Sequence, residues 1–465
     1  MSSTYSKWWS FKFLVWLQVV CAFLLFGNAA CGQIVRTLPG FPGTLPFSLE
    51  TGYISVGSSE LFYLFVESQG NPEVDPVLYY IVGGPGCAAL NGFFFQTGPL
   101  QFDGTAFTGG LPKLQLYPHT WTKSASIIFV DAPIGSGYSY STNPEDYGIS
   151  DLQSANQSHV FIRKWLNQHP QYIKNRFFIA TDSYSGVLAP IIANNILDGN
   201  NAGLEPTINL IGVISGSPRM NGKEEQSYQI ILAHKLGLIS KSIFNYAKEY
   251  CNGTYFYTDT SSVSAECLEY LQVIDELIEQ INLEMVLAPK CSTISPKLED
   301  GNRRRSLRQT DYWCKNFDYL LSTVWANDEG VQSALHVREG TIKEWRRCNL
   351  TFADGTYDYD VDSSFDYHKN LTKAGLQLLL YSGDHDLVVP HIYTEYWIGL
   401  LDITLDEDWR PWFVGGQVAG YTMKYSNYGY RLTYATLKGS GHSPTEWKGR
   451  DTYEMFERWI HFYPL

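Results

Sequence analysis

The chain has 465 residues, 44% of them hydrophobic, which is enough to bury a large core in one enlarged domain or in two. Its 34 basic residues are outnumbered by 47 acidic residues, and the formal net charge is -13. This charge argues against nucleic acid or an anionic membrane surface as the partner, because both attract positive charge.

Residues 1–31 have the layout of a secretory signal peptide. Lys7 and Lys12 precede the apolar run FLVWLQVVCAFLLF, and the small-residue step GNAACG then predicts cleavage near Ala30. The alternative is an uncleaved membrane anchor, although the run is shorter than the roughly 20 residues that a spanning helix needs. We therefore expect a protein of the secretory pathway, destined for the vacuole or the exterior, with no stable membrane insertion after signal removal.

Nearly continuous apolar runs alternate with helical patterns along the chain. The alternating runs YISVG and ELFYLFV predict an antiparallel hairpin, and VLYYIV, SIIFVDA, FFIAT, LIGVISG and LQLLLYSGD predict strands. Continuous apolar strands fit a sheet that is covered on both faces. Helical patterns such as SHVFIRKWLNQHP and VLAPIIANNILDG lie between them. This order predicts an α/β fold with a mainly parallel central sheet.

The alternation of apolar strands and helices is interrupted between residues 216 and 325, where helical and polar segments carry four cysteines. We interpret this stretch as an insertion that forms a lid between the two parts of the core, residues 32–215 and 326–465. Inside it, the arginine-rich segment 297–310 has no apolar periodicity. A solvated loop is one interpretation of this segment, and a site for processing proteases is the other.

Six cysteines follow the signal, and an even number in an oxidising compartment predicts three disulfides. Several pairings are possible, so the sequence alone does not decide the connectivity. No C-x-x-C pair occurs, and we predict neither a metal site nor a cofactor. Four N-x-S/T sequons predict glycosylation, at Asn156, Asn252, Asn349 and Asn370.

The stretch FFIATDSYSGVLAP places Ser183 between an apolar strand and a helical pattern. This position matches the nucleophile elbow, a sharp turn that lifts a serine hydroxyl above a sheet and aims it at a helix N-terminus. The residue two before the serine is normally small but is Thr181 here. The alternative is therefore a serine that caps an ordinary helix.

A nucleophilic serine needs a base, and the base needs a carboxylate that orients it. The loop after LQLLLYSGD offers Asp384 and Asp386, and GSGHSPTEW places His442 between small residues near the end of the chain. Ser183, Asp386 and His442 follow one another in the order of the α/β-hydrolase triad. The glycines of GGPG, residues 83–86, would let backbone N–H groups approach an oxyanion, although such a segment is by itself only a turn.

These motifs resemble those of the serine carboxypeptidase-like family. YIVGGPGC resembles its W-x-N-G-G-P-G-C segment, and TDSYSG, GDHDLVVP and GSGHSPTEW resemble its serine, aspartate and histidine motifs, in the same order. The resemblance implies an α/β-hydrolase fold with a helical, disulfide-bearing lid. It also implies that Ser183 is the nucleophile, His442 the base and Asp386 the residue that orients the base.

The same resemblance implies that the backbone N–H groups of Gly84 and Tyr184 form the oxyanion hole. It implies disulfides that would hold two chains together if the segment 297–310 were cut. The implied pairs are Cys87–Cys348, Cys251–Cys267 and Cys291–Cys314.

Carboxypeptidases of this family hold a peptide's terminal carboxylate at positions that are Val82, Gln96 and Asp182 here, next to Gly83. Valine donates no side-chain hydrogen bond, which disfavours exopeptidase activity. The D-S-Y-S-G form resembles the plant acyltransferase branch, which moves acyl groups from 1-O-glucose esters to alcohols or amines. We therefore predict an acyltransferase with small-molecule donor and acceptor. A serine-type carboxypeptidase is the alternative, and an inactive binding relative is a third possibility.

Overall fold

The computed structural model describes most of the chain that follows the predicted signal peptide. The predicted signal peptide, residues 1–31, and the arginine-rich segment 297–310 lie outside the described residues. The described residues are 32–107, 109–255, 263–291, 314–352 and 354–465.

The strands alternate with helices as the apolar runs predict. The strands are β1 Gln33–Ile34, β2 Leu49–Val56, β3 Ser59–Val66, β4 Val77–Ile81, β5 Leu100–Phe102, β6 Leu114–Leu116, β7 Ser126–Val130, β8 Tyr140–Ser141, β9 Phe177–Asp182, β10 Leu210–Gly216, β11 Gln377–Gly383, β12 Thr404–Val414, β13 Gln417–Asn427 and β14 Tyr430–Leu437. The helices are α1 Ala89–Asn91, α2 Asp151–Gln168, α3 Ser185–Asn201, α4 Gly222–Lys235, α5 Lys241–Tyr250, α6 Ala265–Ile278, α7 Lys315–Ala326, α8 Glu329–Ala334, α9 Phe365–Leu371, α10 His391–Gly399, α11 Pro444–Trp447 and α12 Gly449–Ile460.

Within the described residues, twelve strands form one sheet, and β5 pairs with β6 in a separate ribbon. The order across the large sheet is β1-β2-β3-β7-β4-β9-β10-β11-β14-β13-β12, with β8 added beside β3. The six central strands, from β7 to β14, are parallel, and antiparallel strands extend the sheet on either side. The predicted hairpin is confirmed, since β2 and β3 pair antiparallel from Leu49–Val66 to Val56–Ser59.

Strand β4 shows why the central runs are apolar without interruption. Tyr79 packs into the hydrophobic cluster on one face of the sheet, and its neighbours Leu78 and Tyr80 pack into the cluster on the other face. Successive side chains of a strand point to opposite faces, so a sheet covered on both faces requires apolar residues at every position.

Three helices of the predicted insertion, α4 to α6, form a third hydrophobic cluster of their own. Leu387, from the loop that follows β11, is also part of this cluster, which joins the helices to the core of the protein. None of the described helices has the length and apolar composition that a bilayer span requires.

The structure contains the three disulfides that the family resemblance implies. Cys251–Cys267 joins α5 to α6, and Cys291–Cys314 joins the residues after α6 to the start of α7. Cys87–Cys348 links residues 261 positions apart.

Candidate active site

Ser183 lies in a sharp turn between β9 and α3. Its φ of 58° is in the left-handed region, and its backbone N–H donates to the carbonyl of Gly216 at 2.9 Å. Gly186, at the start of α3, packs closely against the loop that follows β10. A Cβ on this residue would lie 2.7 Å from Pro218 Cα, so only glycine fits. The residue before the first turn of α3 is Tyr184, and no side chain caps the helix. The helix-cap interpretation of Ser183 is therefore wrong, and the elbow geometry is present.

Thr181, the unusual residue in the elbow motif, is accommodated by the neighbouring strand. Its side chain is buried, and its hydroxyl hydrogen-bonds the hydroxyl of Ser215 in β10 at 2.7 Å. A β-branched residue suits an extended strand, and the hydrogen bond satisfies its polar atom.

The structure brings Ser183, Asp386 and His442 together at the carboxyl ends of β9, β11 and β14. His442 Nε2 lies 2.7 Å from Ser183 Oγ, and His442 Nδ1 lies 2.8 Å from Asp386 Oδ2. Asp386 is fully buried, and its other oxygen accepts the backbone N–H groups of Val388 and Val389 at 2.7 and 3.0 Å. This is the geometry of a nucleophile, a base and an orienting carboxylate.

The charges around His442 make its imidazole a stronger base than free histidine. Burial is the largest single effect and lowers the pKa of His442, but the carboxylates of Asp386 and Asp182 outweigh it and raise the pKa to about 9. A raised pKa favours transfer of the Ser183 proton to the imidazole.

Asp384, the other candidate carboxylate, supports the histidine loop instead of contacting His442. Its Oδ1 accepts the backbone N–H groups of Gly439 and Ser440 at 2.7 and 3.3 Å, and it lies 2.6 Å from Nδ1 of His385. His385 is therefore engaged with its neighbour in the chain.

Sequence reasoning missed a direct contact between the insertion and the triad. The backbone N–H of His442 donates to the carbonyl of Glu284 at 2.5 Å, and that of Leu387 donates to the carbonyl of Leu283 at 3.0 Å. A third bond runs from the N–H of Val286 to the carbonyl of His385 at 3.2 Å. We call residues 283–286 the docking segment. Backbone bonds leave no signal in side-chain composition, which is why no motif predicts this contact.

Gly83 and Gly84 follow β4 and lie against the elbow. A Cβ on Gly83 would lie 2.6 Å from Ser183 Cβ and 2.8 Å from the backbone nitrogen of Tyr184, so only glycine fits. Gly84 has a φ of 119°, which also favours glycine. The two predicted oxyanion donors thus belong to segments in direct contact.

The ring of Tyr184 is fixed by a buried carboxylate that sequence reasoning also missed. Asp151, the first residue of α2, accepts hydrogen bonds from the hydroxyls of Tyr184 and Tyr357 at 2.7 and 2.8 Å. The N–H of Val361 donates to its other oxygen at 3.2 Å. Burial raises the pKa of Asp151. Nothing local distinguishes this aspartate, because its partners come from distant parts of the chain.

Gln96 and Asp182, two of the predicted substrate contacts, hydrogen-bond each other. Gln96 Nε2 donates to Asp182 Oδ2 at 3.1 Å, and Ser443 Oγ donates to the same oxygen at 2.5 Å. Gln96 Oε1 accepts the hydroxyl of Tyr80 at 2.9 Å. Val82 is buried and contributes its carbonyl, which accepts Ser185 Oγ at 2.8 Å.

Asp182 is the most perturbed carboxyl beside the triad. Burial raises its pKa to about 7, against the lowering effects of the His442 charge and the Ser443 hydrogen bond. Its Oδ1 is buried and has no hydrogen-bond partner among the described residues. The described residues contain no group of three or more His, Cys, Asp or Glu side chains arranged to hold a metal ion.

Comparison with known proteins agrees with this geometry. A family model described as serine carboxypeptidase matches residues 39–462. The chain belongs to the serine carboxypeptidase family. It is 39% identical over 452 residues to serine carboxypeptidase-like 11 of Arabidopsis thaliana. The alignment covers 97% of this chain and 99% of that protein. It is 40% identical over 452 residues to serine carboxypeptidase-like 8 of the same plant, with the same coverage.

A solved structure supports the fold of this family member. Kex1Δp, a prohormone-processing carboxypeptidase from Saccharomyces cerevisiae, aligns with a TM-score of 0.69 at 17% identity, covering 90% of this chain and 92% of that chain. The predicted α/β-hydrolase fold is thereby confirmed. The chain is an enzyme of the serine carboxypeptidase family, for which hydrolysis and acyl transfer are both open.

Proposed function

We propose that the protein is an acyltransferase that moves an acyl group from a 1-O-acylglucose ester to an alcohol or amine acceptor of specialised metabolism. The acyl group is carried on Ser183 between the two half-reactions. The reaction needs no cofactor, since the donor ester is already activated.

The observation that carries the proposal is the hydrogen bonding at the three positions where carboxypeptidases hold a peptide carboxylate. The Gln96 amide oxygen accepts from Tyr80 and one of its N–H groups donates to Asp182, and Val82 offers no side-chain donor. An ionised Asp182 would repel a second carboxylate. A sugar ester has no free carboxylate, so this site suits it better than a peptide C-terminus.

The first half-reaction uses the triad. His442 Nε2 accepts the proton of Ser183 Oγ as this oxygen attacks the ester carbonyl, and Asp386 stabilises the imidazolium that forms. The N–H groups of Gly84 and Tyr184 stabilise the oxyanion. The bond to the sugar oxygen then breaks, His442 returns the proton to that oxygen, and glucose leaves.

The second half-reaction repeats the steps with the acceptor. His442 takes the proton of the acceptor hydroxyl or amine as the acceptor attacks the acyl-serine carbonyl. The bond between the carbonyl carbon and Ser183 Oγ then breaks, and His442 returns the proton to Oγ. Transfer exceeds hydrolysis when the acceptor is bound and water is excluded. We assign this exclusion to the insertion, residues 216–325, whose docking segment lies against His442.

A carboxypeptidase is the second candidate, and the state of Asp182 is the observation that favours it. With a pKa of about 7, this carboxyl holds a proton in mildly acidic solution. The protonated group could donate a hydrogen bond to a peptide carboxylate.

The experiment incubates the purified protein with acylglucose donors plus acceptors, and separately with a blocked dipeptide. We expect the acylated acceptor and free glucose, and no amino acid release. Amino acid release without acyl transfer would overturn the proposal. The Ser183→Ala variant should lose the reaction, and Asp386→Asn should slow it by about 10⁴-fold because the imidazole loses its orientation. Labelling of Ser183 by a fluorophosphonate tests the third possibility, an inactive relative.

We further propose that the protein travels the secretory route to the vacuole or the exterior. Glycosylation at the four sequons and cleavage in the segment 297–310 belong to the same proposal. Mass spectrometry of the protein from its source tissue would test all three features.

A further inference from the structure

Three tyrosine side chains of the insertion form an aromatic cluster on the outside of helices α5 and α6. The ring centres of Tyr246, Tyr250 and Tyr270 lie 5.3 to 6.5 Å apart, and the rings are within 26° of parallel. Tyr246 is 46% exposed and Tyr250 is 41% exposed, while Tyr270 is half-buried. We call these three residues the tyrosine platform. A contiguous aromatic surface in water is typical of an interaction site.

Each ring of the platform keeps a face that the other two rings do not cover. A ring covered on both faces would hold its two neighbours about 7 Å or more apart, which is twice the contact distance between carbon atoms. The largest separation of ring centres is 6.5 Å, between Tyr246 and Tyr250. No ring is therefore sandwiched, and the platform can offer aromatic faces to an occupant.

The sequon at Asn252 lies directly beside the platform. Helix α5 ends at Tyr250, and the next residue, Cys251, is joined to Cys267 of α6, three residues before Tyr270. This disulfide holds the two tyrosines on neighbouring helices. Asn252 is two residues from Tyr250, so their Cα atoms are at most about 7 Å apart.

The backbone turns at Asn252 and leaves its side chain exposed. The φ of Asn252 is 55°, a left-handed value that asparagine tolerates better than most residues, and Gly253 follows with a φ of 74°. Both residues are exposed. The sequon at Asn349 differs, because its amide nitrogen donates to the Gly135 carbonyl at 3.1 Å and its amide oxygen accepts the Thr351 hydroxyl at 2.8 Å. The Asn252 amide is therefore the more accessible of the two.

The carboxylates beside the platform disfavour an acidic occupant and a second copy of the chain. Glu249 and Glu269 directly precede Tyr250 and Tyr270 and are exposed. A symmetrical contact between two chains would bring these carboxylates close to their own equivalents, and like charges repel. An uncharged sugar avoids this repulsion. Its hydroxyls can donate to carboxylates, and its apolar face can pack on an aromatic ring.

We propose that the tyrosine platform binds the first N-acetylglucosamine of a glycan attached to Asn252. Glycosylation joins Nδ2 of Asn252 to the anomeric carbon of this sugar, and the amide proton and the lipid diphosphate that carried the sugar leave. The sugar then covers the aromatic surface and stabilises α5 and α6. This inference rests on the proposed secretory route and is independent of the proposed reaction.

A double-mutant cycle between the platform and the glycan tests the proposal. The chain is secreted from plant cells behind a foreign signal peptide, and mass spectrometry of its peptides measures the occupancy of Asn252. Asn252→Gly removes the glycan without backbone strain, because glycine adopts a φ of 55° freely. Tyr250→Leu should speed amide hydrogen exchange in α5 and α6 about threefold or more in the glycosylated protein, the effect of one aromatic contact. In the Asn252→Gly background the same substitution should speed it by less than about 1.5-fold.

Asn156→Gln is the matched control, because Asn156 is an exposed sequon on α2 and its loss should leave exchange in α5 and α6 unchanged. Equal acceleration by Tyr250→Leu with and without the glycan would show that the rings pack only within the protein, and would overturn the proposal. An unmodified Asn252 in the secreted chain would also overturn it. So would a dimer that depends on Tyr250 and forms in the Asn252→Gly variant. None of these measurements uses acyl transfer, so failure of the proposed function would leave their result unchanged.

Discussion

Asp182 and His442 influence each other through charge, although they share no hydrogen bond. The Asp182 carboxylate contributes to raising the pKa of His442, and the His442 charge lowers the pKa of Asp182. Ser443 adds a hydrogen bond that favours the ionised form of Asp182. Asp182, beside Ser183, and Ser443, beside His442, therefore contribute, after Asp386, to how readily His442 accepts a proton.

Asp182→Asn should move the acid limb of the kcat/KM profile to lower pH. The substitution removes a negative charge that raises the pKa of His442, so that pKa falls and the neutral, active imidazole persists at lower pH. The measurement is the pH dependence of acyl-enzyme formation from a glucose ester.

Ser443→Ala serves as the control for this prediction. Without the Ser443 hydrogen bond the pKa of Asp182 rises, its carboxyl is neutral over a wider pH range, and the limb should move in the same direction by less. A limb that moves to higher pH in Asp182→Asn would show that this carboxylate does not act through charge.

Individual site residues could be predicted from the sequence where each lies in a short recognisable motif. Ser183, Asp386 and His442 lie in motifs whose order is itself a signal. Ser443 and Asp151 acquire their contacts only through folding, since their partners Asp182 and Tyr184 lie far away in the chain. Side-chain type alone could not have identified either residue.

Among the elements, the docking segment 283–286 has the most direct influence on the triad. Its backbone bonds hold the loop of Asp386 through Leu387 and the loop of His442 directly. The docking segment therefore helps to hold the loops of Asp386 and His442 in place, in addition to the proposed role of the insertion in excluding water.

Gly441→Ala should lower acyl transfer by about 100-fold or more, because a shift of about 1 Å in a catalytic group costs that much. The added methyl group would collide with the Glu284 carbonyl and with Met285, which forces the docking segment away from His442. The measurement is kcat with a glucose ester, alongside a thermal melt that confirms folding.

Gly399→Ala is the matched control for this substitution. Gly399 ends α10, and a Cβ there meets nothing within 4 Å. The activity of Gly399→Ala should equal that of the wild-type protein, and its stability should change little, because Gly399 is the last residue of α10. Equal activity of the two alanine variants would mean that the docking segment does not position His442.

The strands of the core could be predicted because burial on both faces leaves an uninterrupted apolar run, as in β4. The insertion could be predicted as helical, but its contact with the catalytic loops could not. The bonds that make this contact join backbone groups, and any residue except proline supplies these. Gly441 is a sequence signal of the contact, because a Cβ there would collide with the Glu284 carbonyl. It cannot be recognised as such from the sequence, since other glycines of the chain are required for different reasons.

At the scale of the whole molecule, the disulfide Cys87–Cys348 connects the two parts of the core across the entire insertion. Cys87 ends the glycine segment that holds the predicted oxyanion donor Gly84, and its N–H donates to the Gly83 carbonyl at 3.1 Å. The bond closes a loop of 261 residues, against 16 for Cys251–Cys267. Closing a longer loop removes more conformational freedom from the unfolded chain.

Replacing Cys87 and Cys348 together by serine should therefore lower the free energy of unfolding more than replacing Cys251 and Cys267. The chain-entropy relation gives about 5.6 kcal/mol for the long loop and about 3 kcal/mol for the short one. Urea denaturation measures the free energy of unfolding of both variants.

Replacing Cys87 and Cys348 should also lower kcat, because the glycine segment loses its anchor beside Ser183. Cys251 and Cys267 lie in the insertion helices, so replacing them should change kcat less. Equal losses of stability would show that loop length does not govern these bonds, and an unchanged kcat in the first pair would show that the oxyanion segment is held without its disulfide.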